Sequence, residues 1–274
     1  MRAAASALLC LALALAARAQ DLALAPERIV VPSGDVQLGS QPEALEAALA
    51  LCRDESRYGA AGCVLERFAL ELSPSRHHVA AFAIDRTEVR RGDYLRCVAR
   101  GLCAPPREAR SRSGPDDAQL PITGVDLARA EAYCRAVGGR LPTELEWARA
   151  AQGDDERAFP WGEVADAGRA NHGRPPALAD DADGFLALAP VGAFPSGASP
   201  FGVLDLAGNV WEWTASLPRA EDRALLPSLG PEAWRVVRGG SFLSPLHGVR
   251  AATRHLAATD TASRDLGFRC AHDL

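Results

Sequence analysis

Hydrophobic and polar positions change period several times along the chain, and each change predicts an element. Residues 27 to 40 carry apolar positions on either side of Pro32-Ser33-Gly34, which predicts a β-hairpin. Glu43 to Arg53 has the Ala/Leu spacing of a helix, and Val79 to Asp85 is a short apolar run that predicts a strand. Asp126 stands where an N-cap belongs for a helix over Leu127 to Val137, which Gly138-Gly139 would end. Thr143-Glu144-Leu145-Glu146 has the form of a capping box and predicts a further helix through Trp147 and Ala148 to Ala151, stopping near Gly153. Two helices therefore flank Arg140-Leu141-Pro142. From Gly153 to about Gly202 the periodicity is lost among Gly, Pro, Asp and Ala, and so long a stretch without regular elements is usually functional or held by ions and bridges. Apolar runs at Trp234 to Val237 and Leu266 to Ala271 predict core strands. With no internal repeat and no linker, one domain is expected over residues 20–274.

Residues 1–19 are expected to lie outside that domain. Arg2, an apolar run from Ala3 to Ala17, and Ala17-Arg18-Ala19 before Gln20 are the three parts of a secretory signal peptide. The run is too short to span a bilayer comfortably. Cys10 follows Leu9 rather than a small residue, which argues against a lipoprotein. Export to the periplasm or the outside is expected, with no membrane span after cleavage.

Charge and composition narrow the chemistry. The formal charge of −5 over 274 residues does not suit a nucleic-acid partner. All 30 cationic side chains are arginine, which excludes a Schiff-base lysine and a phosphate-loop lysine. Arg86, Arg90, Arg91, Arg96, Arg100, Arg107, Arg110 and Arg112 crowd one stretch; a solvated surface is the plainer reading and an anion patch the sharper one. Of seven cysteines, Cys10 belongs to the leader, and the remaining six are even in number in an oxidising compartment. Cys52 with Cys63, and Cys97 with Cys103, can each close a short loop, which leaves Cys134 and Cys270 to tie a helix to the C-terminal strand. A metal site is the competing reading, but there is no Cys-x-x-Cys and no His at ligand spacing.

Five segments then occur in order: Arg140-Leu141-Pro142-Thr143-Glu144-Leu145-Glu146-Trp147, Phe159-Pro160-Trp161-Gly162, Gly208-Asn209-Val210-Trp211-Glu212-Trp213-Thr214, Arg238-Gly239-Gly240-Ser241-Phe242 and Leu266-Gly267-Phe268-Arg269-Cys270-Ala271. Together they resemble the formylglycine-generating enzyme, or sulfatase-modifying factor, family over roughly Glu27 to Leu274. The resemblance implies an α+β fold of the C-type-lectin-like group with little regular secondary structure and bound calcium. It also implies a bridge between Cys134 and Cys270.

For calcium, a hard cation that takes oxygen ligands, the resemblance implies two sets. In the first, Asn171 and Asp183 give side-chain oxygens and His172 and Phe185 give carbonyls. In the second, Asp205 and Glu212 give carboxylates and Gly208 and Val210 give carbonyls. An EF-hand is excluded, because no Glu stands twelfth from Asp180, Asp181 or Asp183. Without the resemblance, the stretch from Asp180 to Asp183 reads as a solvated acidic loop.

The family's oxidases hold Cu(I) on two cysteines shortly after Arg-Gly-Gly-Ser, and soft thiolates are what select that ion. Here Ser244 stands at the first position, and no cysteine lies between Cys134 and Cys270, so copper is not expected. Ser244 and His247 with nearby Ser241 suggest a hydrolase only weakly, since no orienting third residue or nucleophile elbow accompanies them in the sequence. His77, His78, His255 and His272 are unclustered and read as ordinary histidines. The resemblance implies that Trp211, Arg238, Ser241, Ser244 and His247 mark the family's substrate groove; read alone, Trp211 is a core aromatic and Ser241 a turn hydroxyl. The reading that results is a calcium-stabilised accessory module that binds a peptide or protein without oxidase chemistry. The alternatives are an enzyme of different chemistry in the same groove, as in periplasmic maturation factors, or an oxidase whose missing ligands are supplied otherwise.

Overall fold

The computed structural model describes residues 26–55, 62–107, 115–174, 181–222 and 230–274. Residues 1–19, expected as a leader, and Arg110, Arg112 and Asp180 lie outside them.

Strands β1 (Arg28–Val31) and β2 (Gly34–Leu38) form where the apolar pattern places them, yet they do not make the expected hairpin. β1 pairs antiparallel with β4 (Phe82–Asp85), and β2 pairs antiparallel with β3 (Ser75–Val79). Pro32 has no N–H to give to a ladder. The corner is held instead from a helix: Arg149 Nη1 donates to the Asp35 carbonyl at 3.3 Å. The single strand expected over Val79 to Asp85 is likewise broken at Ala80-Ala81, and its two halves belong to different sheets.

Among the described residues there are four α-helices. α1 (Pro42–Glu55) takes the Ala/Leu run. α2 (Arg91–Ala99) lies in the arginine-rich stretch and was not expected, because its buried stripe is only Asp93, Tyr94 and Cys97. The solvated reading holds for Arg96, Arg100 and Arg107, whereas Arg86, Arg90 and Arg91 are half-buried. α3 (Leu127–Ala136) starts on Asp126, whose carboxylate accepts from Arg129 N at 3.0 Å. α4 (Glu144–Gln152) has both halves of its capping box: Glu146 N donates to Thr143 Oγ1 at 3.2 Å, and Thr143 N donates to Glu146 Oε2 at 2.7 Å.

Near the C-terminal end, β5 (Trp211–Trp213), β6 (Trp234–Arg238) and β7 (Arg254–Ala258) make an antiparallel sheet, and β8 (Leu266–Gly267) adds to β5 in parallel. β9 (Ala271–His272) joins β4 in the other sheet, so the expected strand from Leu266 to Ala271 is two strands. Phe268, Arg269 and Cys270 between them are fully buried and serve as the junction of the two sheets. One core cluster packs Tyr94, Tyr133, Phe268 and Trp213 about the Cys134–Cys270 bridge. Another packs Trp147 and the alanines of α4 on Val31, Phe82 and Ile84. Disulfides join Cys52 to Cys63, Cys97 to Cys103 and Cys134 to Cys270. Among the described residues, no helix is long and apolar enough to cross a membrane.

Candidate functional site

The turn through Arg238-Gly239-Gly240-Ser241 sets the floor of a groove. Gly240 has φ +73°, and a Cβ there would sit 2.6 Å from the Gly248 carbonyl oxygen, so only glycine lets the chain fold back at this distance. The returning loop is pinned by Ser241 N donating to Ser244 Oγ at 3.0 Å and Gly248 N donating to the Pro245 carbonyl at 2.7 Å. A cavity of about 410 Å³ opens over it, lined by Trp211, Ser244, His247 and His255 together with Phe68 and Thr253. Trp211 leans on His255 with ring centroids 5.8 Å apart, so His255, read as an ordinary histidine, belongs to the groove wall.

Three of the five expected groove residues line this cavity, and two do not. Arg238 is fully buried behind it, donating to Glu144 Oε1 at 3.1 Å and to the Ala251 carbonyl at 2.7 Å. Ser241 is also fully buried; its hydroxyl donates to Asp265 Oδ2 at 3.1 Å and accepts from Leu243 N at 3.2 Å. Both shape the turn from inside.

Glu55, the last residue of α1, was missed by sequence reasoning. Its carboxylate accepts from Leu246 N at 2.6 Å and from His247 N at 3.0 Å, and faces His247 Nδ1 at 2.6 Å. Burial alone would raise this carboxyl, but the bonds and charge of His247 outweigh it and hold Glu55 below the ordinary glutamate range. The orienting residue that the sequence did not show for His247 is therefore present. Ser244 is engaged with Ser241 N instead. The donors do not fit Cu(I): all six cysteines of residues 20–274 are in disulfides, and no thiolate adjoins Ser244.

The two expected calcium sets differ. In the first, Asp183 is drawn to its partners, with Oδ2 accepting from His172 N and Oδ1 from Phe185 N, each at 3.0 Å. Asn171 uses its amide N–H groups on the Ala187 carbonyl and Asn209 Oδ1, at 2.8 and 3.0 Å, while its own Oδ1 is buried without a partner. A buried amide oxygen without a donor fits a hard cation. In the second set, Gly208, with φ +77°, lets the chain pass against the Asn171 carbonyl, where a Cβ would be 2.0 Å away. Glu212, expected as a ligand, has its oxygens engaged by Arg269 Nε and Nη2, both at 2.7 Å, and by Trp147 Nε1 at 2.9 Å. Glu212 is thus in a buried ion pair with Arg269, while Asp205 Oδ2 accepts from Gly192 N at 2.7 Å. Among the described residues, no group of three or more His, Cys, Asp or Glu side chains is gathered to hold a metal.

Known proteins are similar to this chain over the same architecture. The sulfatase-modifying factor enzyme 1-like domain matches residues 14–274. A Bos taurus protein named inactive C-alpha-formylglycine-generating enzyme 2 is 40% identical over 161 residues, 56% of this chain and 50% of that protein. The formylglycine-generating enzyme of Mycobacterium tuberculosis is 36% identical over 193 residues, 63% of this chain and 64% of that one. The chain thus spans about half the length of the Bos taurus relative. Among solved structures, PvdO from Pseudomonas aeruginosa shares the fold, with a TM-score of 0.68 and 22% identity over 93% of this chain and 97% of that one. The ordered motifs, the α+β architecture and the match over residues 14–274 together place the chain in the sulfatase-modifying factor enzyme 1-like, or formylglycine-generating enzyme, family.

Proposed function

We propose that this protein is an exported, calcium-stabilised member of the family that uses the groove at Trp211, Ser244 and His247 to hold a peptide or protein partner without oxidising it. The observation that carries this reading is a retained groove beside a cysteine set that is fully paired. Three disulfides suit an oxidising compartment and agree with the leader-like pattern of residues 1–19. Incubation with a Cys-x-Pro-x-Arg peptide is expected to leave its mass unchanged, and conversion to the aldehyde would overturn the reading. Trp211→Ala should weaken capture of a partner from the exported fraction roughly thirtyfold, the loss of about 2 kcal/mol typical of an aromatic anchor. Undiminished capture by the variant would remove the groove from the account.

Calcium is assigned here to the first set, with oxygens from Asn171, His172, Asp183 and Phe185. A bound ion would offset the entropy of ordering the irregular stretch after Gly153. Chelation is expected to lower Tm by roughly 5 to 10 °C, from about 2 to 3 kcal/mol of linked binding energy. Ca²⁺ should restore the loss and Mg²⁺ should not, and Asp183→Ala should abolish the sensitivity. An indifferent melting curve in the native protein would count against the ion.

The Glu55–His247 contact favours a second reading, proton transfer within the groove. With Nδ1 held by a carboxylate, the other ring nitrogen is fixed in orientation and available as a general acid or base. In that case His247→Ala should slow any turnover of the captured partner by about 10² to 10⁴ while capture persists. Equal turnover in the variant would dismiss it.

A further inference from the structure

A cavity of about 270 Å³ lies between α1 and the body of the fold, next to the groove across Arg250 but with none of its lining residues in common with it. Part of its wall is apolar: Ala44, Ala47, Ala48 and Leu51 come from one face of α1, and Phe159 from the body, while Gln37, Ser40 and Gln41 add polar groups at the side. The spacing of those helical residues keeps small side chains along the cavity, so the space is a product of the sequence rather than of poor packing by large groups. Gln152, the last residue of α4, lines the same space; it is only 4% exposed, and its Oε1 has no hydrogen-bond partner. Buried polar atoms in folded proteins are nearly always satisfied, so an orphan amide oxygen beside a cavity calls for a donor from outside the chain.

The charges around the cavity are already paired. Arg250 Nη2 donates to Glu71 Oε1 at 2.7 Å and its Nε to the His247 carbonyl at 2.8 Å. Arg157 is bound to both oxygens of Asp155 at 2.7 and 2.6 Å, Glu156 pairs with Arg76 at 2.8 Å, and Glu163 Oε1 accepts from Ala158 N at 3.3 Å. A charged ligand would have to displace one of these partners; a neutral one would not. As a guide to size, an apolar cavity of about 150 Å³ accommodates benzene. This one has room for two fused rings.

We propose that this cavity is a binding site for a small, uncharged, largely apolar molecule of about two fused rings that carries an N–H or O–H donor for Gln152. The test uses indole as probe and indene, the same ring frame without N–H, as control, both followed by ligand-observed saturation-transfer NMR on the full chain. Indole should bind saturably and at least tenfold more tightly than indene. Ala47→Trp, placed on an exposed helical position that tolerates a large side chain, should fill the space and abolish binding while the thermal melt stays that of a folded protein. Gln152→Leu should leave the apolar frame and erase the preference for indole. Absence of saturable indole binding to the native protein would overturn the proposal, as would indole binding that survives Ala47→Trp or an indole preference that survives Gln152→Leu.

Discussion

Replacing Cys134 and Cys270 together by alanine is expected to lower the unfolding free energy by about 5 kcal/mol, the chain-entropy value for so long a loop. The two cysteines are 136 residues apart, and their bridge fastens α3 to the segment between β8 and β9. Both are fully buried among Tyr133, Phe268 and Val137, so the change also loosens a packed cluster. Cys97 and Cys103, only 6 residues apart, provide the control: their removal should cost about 2 kcal/mol on the same reasoning. Urea midpoints measured for the native protein and the two double variants separate the cases. Equal losses would show that loop length is not what the long bridge contributes.

The difference between those bridges also explains what could be read from the sequence. Signals confined to one turn of chain were legible: Asp126 before Leu127, the reciprocal Thr143 and Glu146 pair, and cysteines a few residues apart. The long Cys134–Cys270 bridge was legible only as the pair left over and through the family resemblance, and the pairing of distant strands was not legible at all. β1 finds its partner in β4, with Arg28 opposite Asp85, and nothing in residues 27 to 40 distinguishes that from a local hairpin. α2 escaped because a helix burying only three side chains leaves little periodic trace, above all when arginines occupy the outer face.

Similar limits apply at the groove. Trp211, Ser244 and His247 were found because their motifs stand in order, but motif membership does not say which way a side chain faces. Arg238 and Ser241 belong to the same turn and point inward, since Gly239 and Gly240 both take positive φ and reverse the chain there. Glu55 had no local signal at all; it meets His247 across 192 residues, and only the packing of α1 on the loop at Leu246 brings them together. Arg269 gave no local signal either: it pairs with Glu212, a carboxylate of the second calcium set, from 57 residues further along the chain.

That arginine makes the other large prediction: Arg269→Met should destabilise the fold by about 3 to 5 kcal/mol, the usual cost of leaving a buried charge without its partner. Arg269 is fully buried and holds Glu212 through two bonds of 2.7 Å while also donating to the Leu204 carbonyl at 2.8 Å and the Asp85 carbonyl at 3.1 Å. Glu88 and Asp205 lie close enough for their charges to be felt. Burial raises Glu88 well above the ordinary range, and the neighbouring Asp205 and Glu212 charges add to the rise. Burial likewise pushes Asp205 up to about 6, against the opposing pull of Arg269. A carboxyl raised in the folded state favours folding below its unfolded value and loses that contribution as pH rises through its folded value, here between about 4 and 6 for Asp205. Without Arg269 the carboxylates lose their counter-charge, so the deficit should be smaller at pH 5, where Glu88 and Asp205 can take up protons, than at pH 8. Denaturant titrations of native and variant protein at those two pH values measure it, and equal deficits would mean that these two carboxyls are not linked to Arg269. Adding Glu212→Gln to Arg269→Met should then recover a large part of the loss, because the second change removes the charge that the first one stranded.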